Sequence, residues 1–140
     1  MKHLHSIFLW FLPLVAFGQE SRAIDAQTSI PALTQLLFVP SVDCATQGSR
    51  LAEDDLAKGA PILLLQSGIS PAVYTADNAF EQKFGVRYFD EGCSAPSREC
   101  MIAYNARVFK YLQRNYAKAW WKEVRKDVIG FKEWKKSAKP

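Results

Sequence analysis

The chain has 140 residues, with 18 Lys and Arg against 14 Asp and Glu, and its two histidines, His3 and His5, both sit at the extreme amino end. Nine Phe, five Tyr and four Trp argue for one packed core and against disorder. Removal of a signal peptide carrying both imidazoles excludes a Ser-His-Asp triad, a Cys-His nucleophile pair, zinc sites built on His such as HExxH, and histidine acid-base catalysis near neutral pH.

The amino end reads as such a signal. Lys2, His3 and His5 form a short basic start, residues 7–17 are apolar apart from Pro13, and Ala16-Phe17-Gly18 puts small residues where a signal peptidase reads. Residues 1–18 are expected to be cleaved before Gln19. The apolar run is too short for a bilayer, which needs roughly 20 residues, and no Cys follows the cut, which sets a lipoprotein aside. The product is expected to be exported, periplasmic or secreted, with no stable membrane span. Residues 19–32 read as a flexible lead-in, 33–130 as a single α/β domain and 131–140 as a basic tail that frays at its end.

Within the domain, residues 33–40 (LTQLLFVP) are apolar with little alternation, which fits a buried strand or a short helix. Residues 41–49 (SVDCATQGS) read as a loop. A helix over 49–58 follows, with Ser49 as N-cap, acidic residues in its first turns, and Gly59 and Pro61 beyond its end. Residues 61–66 (PILLLQ) are a run of aliphatics between breakers, as expected of a strand covered on both faces. After a loop at 67–71, in which Gly68 could admit an anion to backbone N–H groups but which reads first as an ordinary strand-to-helix turn, residues 77–84 predict a second helix. Thr75 or Asp77 can cap it, Phe80 and Phe84 pack at i, i+4, and Gly85 stops it. Residues 86–90 (VRYFD) predict a second strand.

Ser97 is placed to cap a long helix over 98–116. Met101, Tyr104, Val108, Leu112 and Tyr116 draw its core face, and Arg107, Lys110, Arg114 and Lys118 an opposite basic stripe. A further helix is expected over 118–128, ended by Gly130. Strands alternating with helices favour parallel pairing. The fold class expected is α/β or α+β: a single small domain with a sheet of about three strands, residues 33–40 supplying the third, covered by about four helices.

Three cysteines remain in the exported chain. Cys93 and Cys100 are close in sequence, and an oxidising compartment favours a disulfide between them. Cys44 could stay buried and reduced, pair with either of the others, or link two chains. No CxxC is present, and four sulfur ligands cannot be assembled, so no metal site and no cofactor are expected.

The stretches FEQKFGVRYFDEGC, YNARVFKYLQRNY and WWKEVRKDVIG, with APILLLQSGISPAVY upstream, resemble the FEKKY-domain family of small exported bacterial proteins. Phe80-Glu81-Gln82-Lys83-Phe84 departs from the name motif at Gln82 and Phe84. The resemblance runs from about Gly59 to Gly130. It implies a single exported domain of bacterial origin and carries over no catalytic residue.

Charge is segregated. Residues 19–104 hold 6 Lys and Arg against 11 Asp and Glu, whereas residues 105–140 hold 11 against 3. The second half therefore seeks either an anionic partner or the acidic first half. In WWKEVRKDVIGFKEWKK, six cations interleave with Trp120, Trp121, Phe131 and Trp134, a pattern that suits anionic glycan, lipid head groups or a protein partner, while export makes nucleic acid an unexpected one. The leading expectation is a non-enzymatic binding or interaction domain using Arg107, Lys110, Arg114 and Lys118 on an anionic envelope component or a protein partner. The alternative is a small carboxylate-dependent hydrolase acting on envelope or extracellular glycan, with Asp90, Glu91 or Glu99 as candidates and Asp77 or Glu81 as a second carboxylate.

Overall fold

The computed structural model describes Leu36, residues 39–65, Gly68, residues 72–90, Gly92 and residues 95–138. The expected signal peptide, the lead-in, Glu91 and Cys93 lie outside the described residues. After a 3-10 turn at Ser41–Asp43, the elements are α1 (Cys44–Ala57), β1 (Ile62–Leu64), α2 (Thr75–Phe84), β2 (Arg87–Phe89), α3 (Arg98–Tyr116), a second 3-10 turn (Ala119–Lys122) and α4 (Phe131–Ser137). The named elements of the described residues make a mixed α and β fold of four helices and a two-stranded parallel sheet, with Ile62, Leu63 and Leu64 opposite Arg87, Tyr88 and Phe89. No helix among the described residues is long and apolar enough to cross a membrane.

Two strands leave two open edges, and side chains close much of both. Leu63 faces β2, so the polar groups of Ile62 and Leu64 point the other way, towards α3. Asn105 of α3 is fully buried there. Its Oδ1 accepts the Leu64 N–H at 2.9 Å, and its Nδ2 donates to the Leu64 carbonyl at 2.9 Å and to the Ile129 carbonyl at 3.0 Å. The amide thus takes the place of a neighbouring strand. The Tyr104 hydroxyl accepts from the Ile62 N–H, two residues earlier on the same edge. On the outer edge of β2, the Glu81 carboxylate accepts the Tyr88 N–H at 2.8 Å.

The Tyr104 hydroxyl also donates to Asp55 at 2.6 Å, fixing α1 to α3 through a buried contact. Burial lifts the Asp55 carboxyl above its usual range, and the Tyr104 hydrogen bond opposes that only in part. Burial, and then the neighbouring carboxylate, push the Tyr104 phenol far up as well.

Helix α1 begins before the expected Ser49 cap, because the residues that read as loop punctuation serve packing instead. Gly48 lies inside α1, where a Cβ would stand 2.8 Å from the Cys100 carbonyl oxygen, so glycine permits the close approach of α1 to α3. At the same crossing Cys44 and Cys100 form a disulfide with Cα atoms 4.3 Å apart. This corrects the expected Cys93–Cys100 bridge. Ser97 accepts the Cys100 N–H at 3.4 Å and starts α3 there, so Cys100 occupies the buried first turn that faces α1. Packing of two helices decides the pairing, and proximity in sequence does not.

The remaining differences fall at the two ends. Of residues 33–40, Leu36, Val39 and Pro40 are described. Leu36 is helical and fully buried, and none of the three is in a strand. The third contact to the sheet comes from Val128, in an antiparallel bridge to Leu65, with the Ile129 N–H donating to the Leu64 carbonyl at 3.1 Å. The helix expected over 118–128 is therefore only the short turn Ala119–Lys122. Ala117, at φ 50°, ends α3 abruptly, and the Val128 bridge and the bonds of Ile129 tie the segment that follows to the sheet. Gly130, at φ 77°, then opens α4 where a fraying tail was expected. Phe131 is buried and Trp134 packs on the core. Around the buried Trp120, the rings of Phe109, Phe131 and Trp134 lie 5.6, 5.2 and 5.6 Å away, which seals the carboxyl end of α3.

Three outcomes are expected. Asn105→Ala strands the Leu64 N–H and the Ile129 carbonyl, leaves the Leu64 carbonyl with the Ile129 N–H alone, and opens a cavity, costing about 3 kcal/mol or more, read as a lower urea midpoint. Non-reducing peptide mapping recovers Cys44 linked to Cys100, and reduction lowers stability by about 4 kcal/mol on the chain-entropy account of a loop this long. Asp55 is favoured by the fold in its protonated form. Its contribution is complete below pH 3.8, the ordinary value, and is lost as pH rises through the raised folded value. Asp55→Asn keeps an acceptor for Tyr104, so its stability relative to the native chain should rise with pH above 3.8 and converge below it, as measured by denaturation across pH.

Candidate functional site

The outer face of α3 carries the basic stripe. Its 3.6-residue repeat puts Arg107, Lys110 and Arg114 on the side away from Tyr104, Val108 and Leu112, which are all buried. Arg107, Lys110, Tyr111 and Arg114 form one wall of an open groove of about 530 Å³, and Glu53 and Leu56 of α1 form the other. Arg107 pairs with Glu53 across it. Lys110 and Arg114 are exposed and have no carboxylate partner among the described residues. The groove thus combines two open cations, one neutralised pair and a half-buried phenol.

Lys118 does not join it. Beyond the reversal at Ala117, its ammonium lies 5.2 Å from the centroid of the Trp121 ring. The four-residue stripe of the sequence is thus three residues on one groove and a fourth at another place. Periodicity carried past the true end of α3 could not show that break.

The cation that the fold uses most heavily was not singled out by sequence. The Arg125 side chain is only 9% exposed. It donates to the Ala72 carbonyl at 2.7 Å, to Asp77 at 3.0 Å and to Asp127 through Nε at 3.0 Å. The rings of Tyr74 and Tyr88 lie 4.8 and 5.6 Å from its guanidinium carbon. The paired carboxylate of Asp127 raises the already high pKa of Arg125, and Arg125 in turn holds Asp127 below its usual range. Burial drives the Tyr88 phenol far up, although the Arg125 N–H donates to it at 3.1 Å. Asp77 also accepts the Tyr74 N–H at 2.9 Å, so the expected capping residue serves α2 from its third position. A buried, fully partnered guanidinium is structural: it ties α2 to the segment entering the Val128 bridge. Charge segregation was the available signal, since the pair joins the acidic and basic halves.

The candidate carboxylates are dispersed. Asp90 is half-buried and accepts the Gly92 N–H at 3.2 Å, closing a turn after β2. Glu99 is exposed in the first turn of α3, Glu81 is engaged by the β2 edge, and Asp77 is held by Arg125. Neither Asp90 nor Glu99 lines the α1–α3 groove. Gly68 is exposed on a separate groove of about 420 Å³ with Arg98, Lys126 and Lys132, where Asp127 and Glu133 supply opposing charge. No group of three or more metal-donor side chains occurs among the described residues. In comparison with known proteins, the chain gives no significant match to a family model, to a curated protein or to a solved structure.

Proposed function

We propose that the chain is an exported, non-enzymatic binding domain whose basic α3 face engages an anionic partner, either an envelope component or an acidic protein surface. The observation that carries this reading is the pair Lys110 and Arg114, exposed beside Tyr111 on one groove with no carboxylate among the described residues taking up their charge. Exposed cations cost little to desolvate and find their gain in an external anion, with steering at low salt. The Arg107–Glu53 contact tempers the field and orders the groove wall. Export is supported by the Cys44–Cys100 bond, a linkage that persists in oxidising compartments, and by the resemblance of residues 59–130 to the FEKKY-domain family, which points to a bacterial envelope setting.

Fluorescence anisotropy with labelled dextran sulfate tests the reading. Affinity should fall steeply between low and high salt. Lys110→Gln with Arg114→Gln should weaken binding about three- to tenfold, as two exposed charges would. Glu53→Gln, which removes the opposing charge, should strengthen it. If the double variant behaves like a Lys58→Gln control just past the end of α1, the groove is not the site.

A further inference from the structure

A second surface, independent of the groove, surrounds Trp121. This side chain is half-buried, and its indole N–H donates to Gln113 at 3.1 Å, which locks the ring against the end of α3. Two ammonium groups approach that one ring: Lys118 at 5.2 Å and Lys135 at 5.5 Å from its centroid. Trp121, Val124 and the buried Phe131 form the floor of a small pocket of about 190 Å³. Lys122, Lys126, Lys132 and Lys135 rim it.

Among the described residues these lysines enter no ion pair, although Asp127 and Glu133 share the neighbouring Gly68 groove with Lys126 and Lys132. Residues 105–140 contain only three acids, Glu123, Asp127 and Glu133. Lys83 takes Glu123 at 2.7 Å, Arg125 takes Asp127, and Arg98 lies 3.9 Å from Glu133. No ion pair to Lys122, Lys126, Lys132 or Lys135 occurs among the described residues. The arrangement is a rigid aromatic floor under a ring of open cations, held so by a fold that spends its local acids elsewhere.

Size and shape select the occupant. A cavity of roughly 150 Å³ takes a benzene ring, so this pocket suits one ring or a short alkyl group and is smaller than the roughly 300 Å³ lower bound of drug-sized sites. A bilayer is a poor fit, because membrane-surface proteins insert protruding apolar side chains. Here the aromatics are recessed, and the large exposed apolar residues, Val42, Val73 and Tyr74, lie on other segments. The surface receives an apolar group and does not present one. We propose that the Trp121 pocket binds a small soluble organic anion: a carboxylate, sulfonate or phosphate ester whose single ring or short chain rests on Trp121 and Phe131 while the lysine rim holds its charged end.

Phenyl phosphate titrated into the full exported chain, followed by the Trp121 indole N–H resonance, tests this. The expected result is saturable binding that moves that resonance and weakens about fivefold or more in Lys126→Gln with Lys132→Gln. Arg114→Gln, which alters only the α1–α3 groove, should leave it unchanged, so this site and the groove succeed or fail separately. Inorganic phosphate and benzyl alcohol, each carrying half of the ligand chemistry, should bind more weakly than phenyl phosphate by a similar factor. Equal binding of either half, no movement of the Trp121 resonance at millimolar ligand, or indifference to the double substitution overturns the proposal. Capture by phosphatidylglycerol vesicles without binding of phenyl phosphate overturns it in favour of a membrane surface.

Discussion

The buried Asn105 amide joins β1, α3 and the 128–129 segment through three hydrogen bonds, because the sheet it serves cannot stand without them. A pair of three-residue parallel strands is too short to persist alone, and its open edges expose polar groups that a dry core cannot leave unpaired. Asn105 answers this with three hydrogen bonds from one buried side chain, near the most an amide can make. It binds the middle helix to the edge of the sheet and brings in the 128–129 segment, so three separate parts of the chain meet at one group. Tyr104 and Glu81 serve neighbouring positions on the two edges. Side chains here do what further strands do in larger sheets.

Charge follows a similar economy. The acidic and basic halves meet at four ion pairs among the described residues: Arg107 on Glu53, Arg125 on Asp77, Lys83 on Glu123 and Arg98 on Glu133. Only the Arg125 node is well buried, and there two aromatic faces and two carboxylates surround the guanidinium, which is the condition under which a buried cation is tolerated. The other pairs are exposed and contribute little to stability. Most of the lysines beyond residue 109 are left to solvent. Segregated charge is thus used once to close the fold and otherwise remains available at the surface.

Where one helix carried its own signals, sequence was sufficient. Ser97, the repeat from Met101 to Leu112 and the length of the stretch defined α3, and the aliphatic run 62–64 and its parallel partner were legible for similar reasons. Elements set by distant groups were not. Gly48 and Cys44 read as loop residues because their roles lie in the approach of α3. Trp121, Val124 and Val128 sit at helical spacing, yet Ile129 is tied to Leu64 and Asn105, about 65 and 24 residues away in the chain. Asn105 itself was a single polar residue inside an apolar repeat. Such a residue signals only that some buried backbone needs a partner, and sequence does not say which. The basic stripe was half legible: its three helical members share a wall, and the fourth lies past a break that a left-handed Ala117 introduces.

The bond between Cys44 and Cys100 passes over the intervening thiol at Cys93. Were the chain delivered amino end first to an oxidising compartment, as proposed, Cys44 would meet Cys93 before Cys100 emerged. The native linkage is therefore non-consecutive. It is reached either by holding oxidation back until the first and third helices have docked, or by thiolate exchange that releases an early mispaired link. On either route, oxidation that outruns helix docking and is followed by no exchange would leave Cys44 joined to the wrong sulfur.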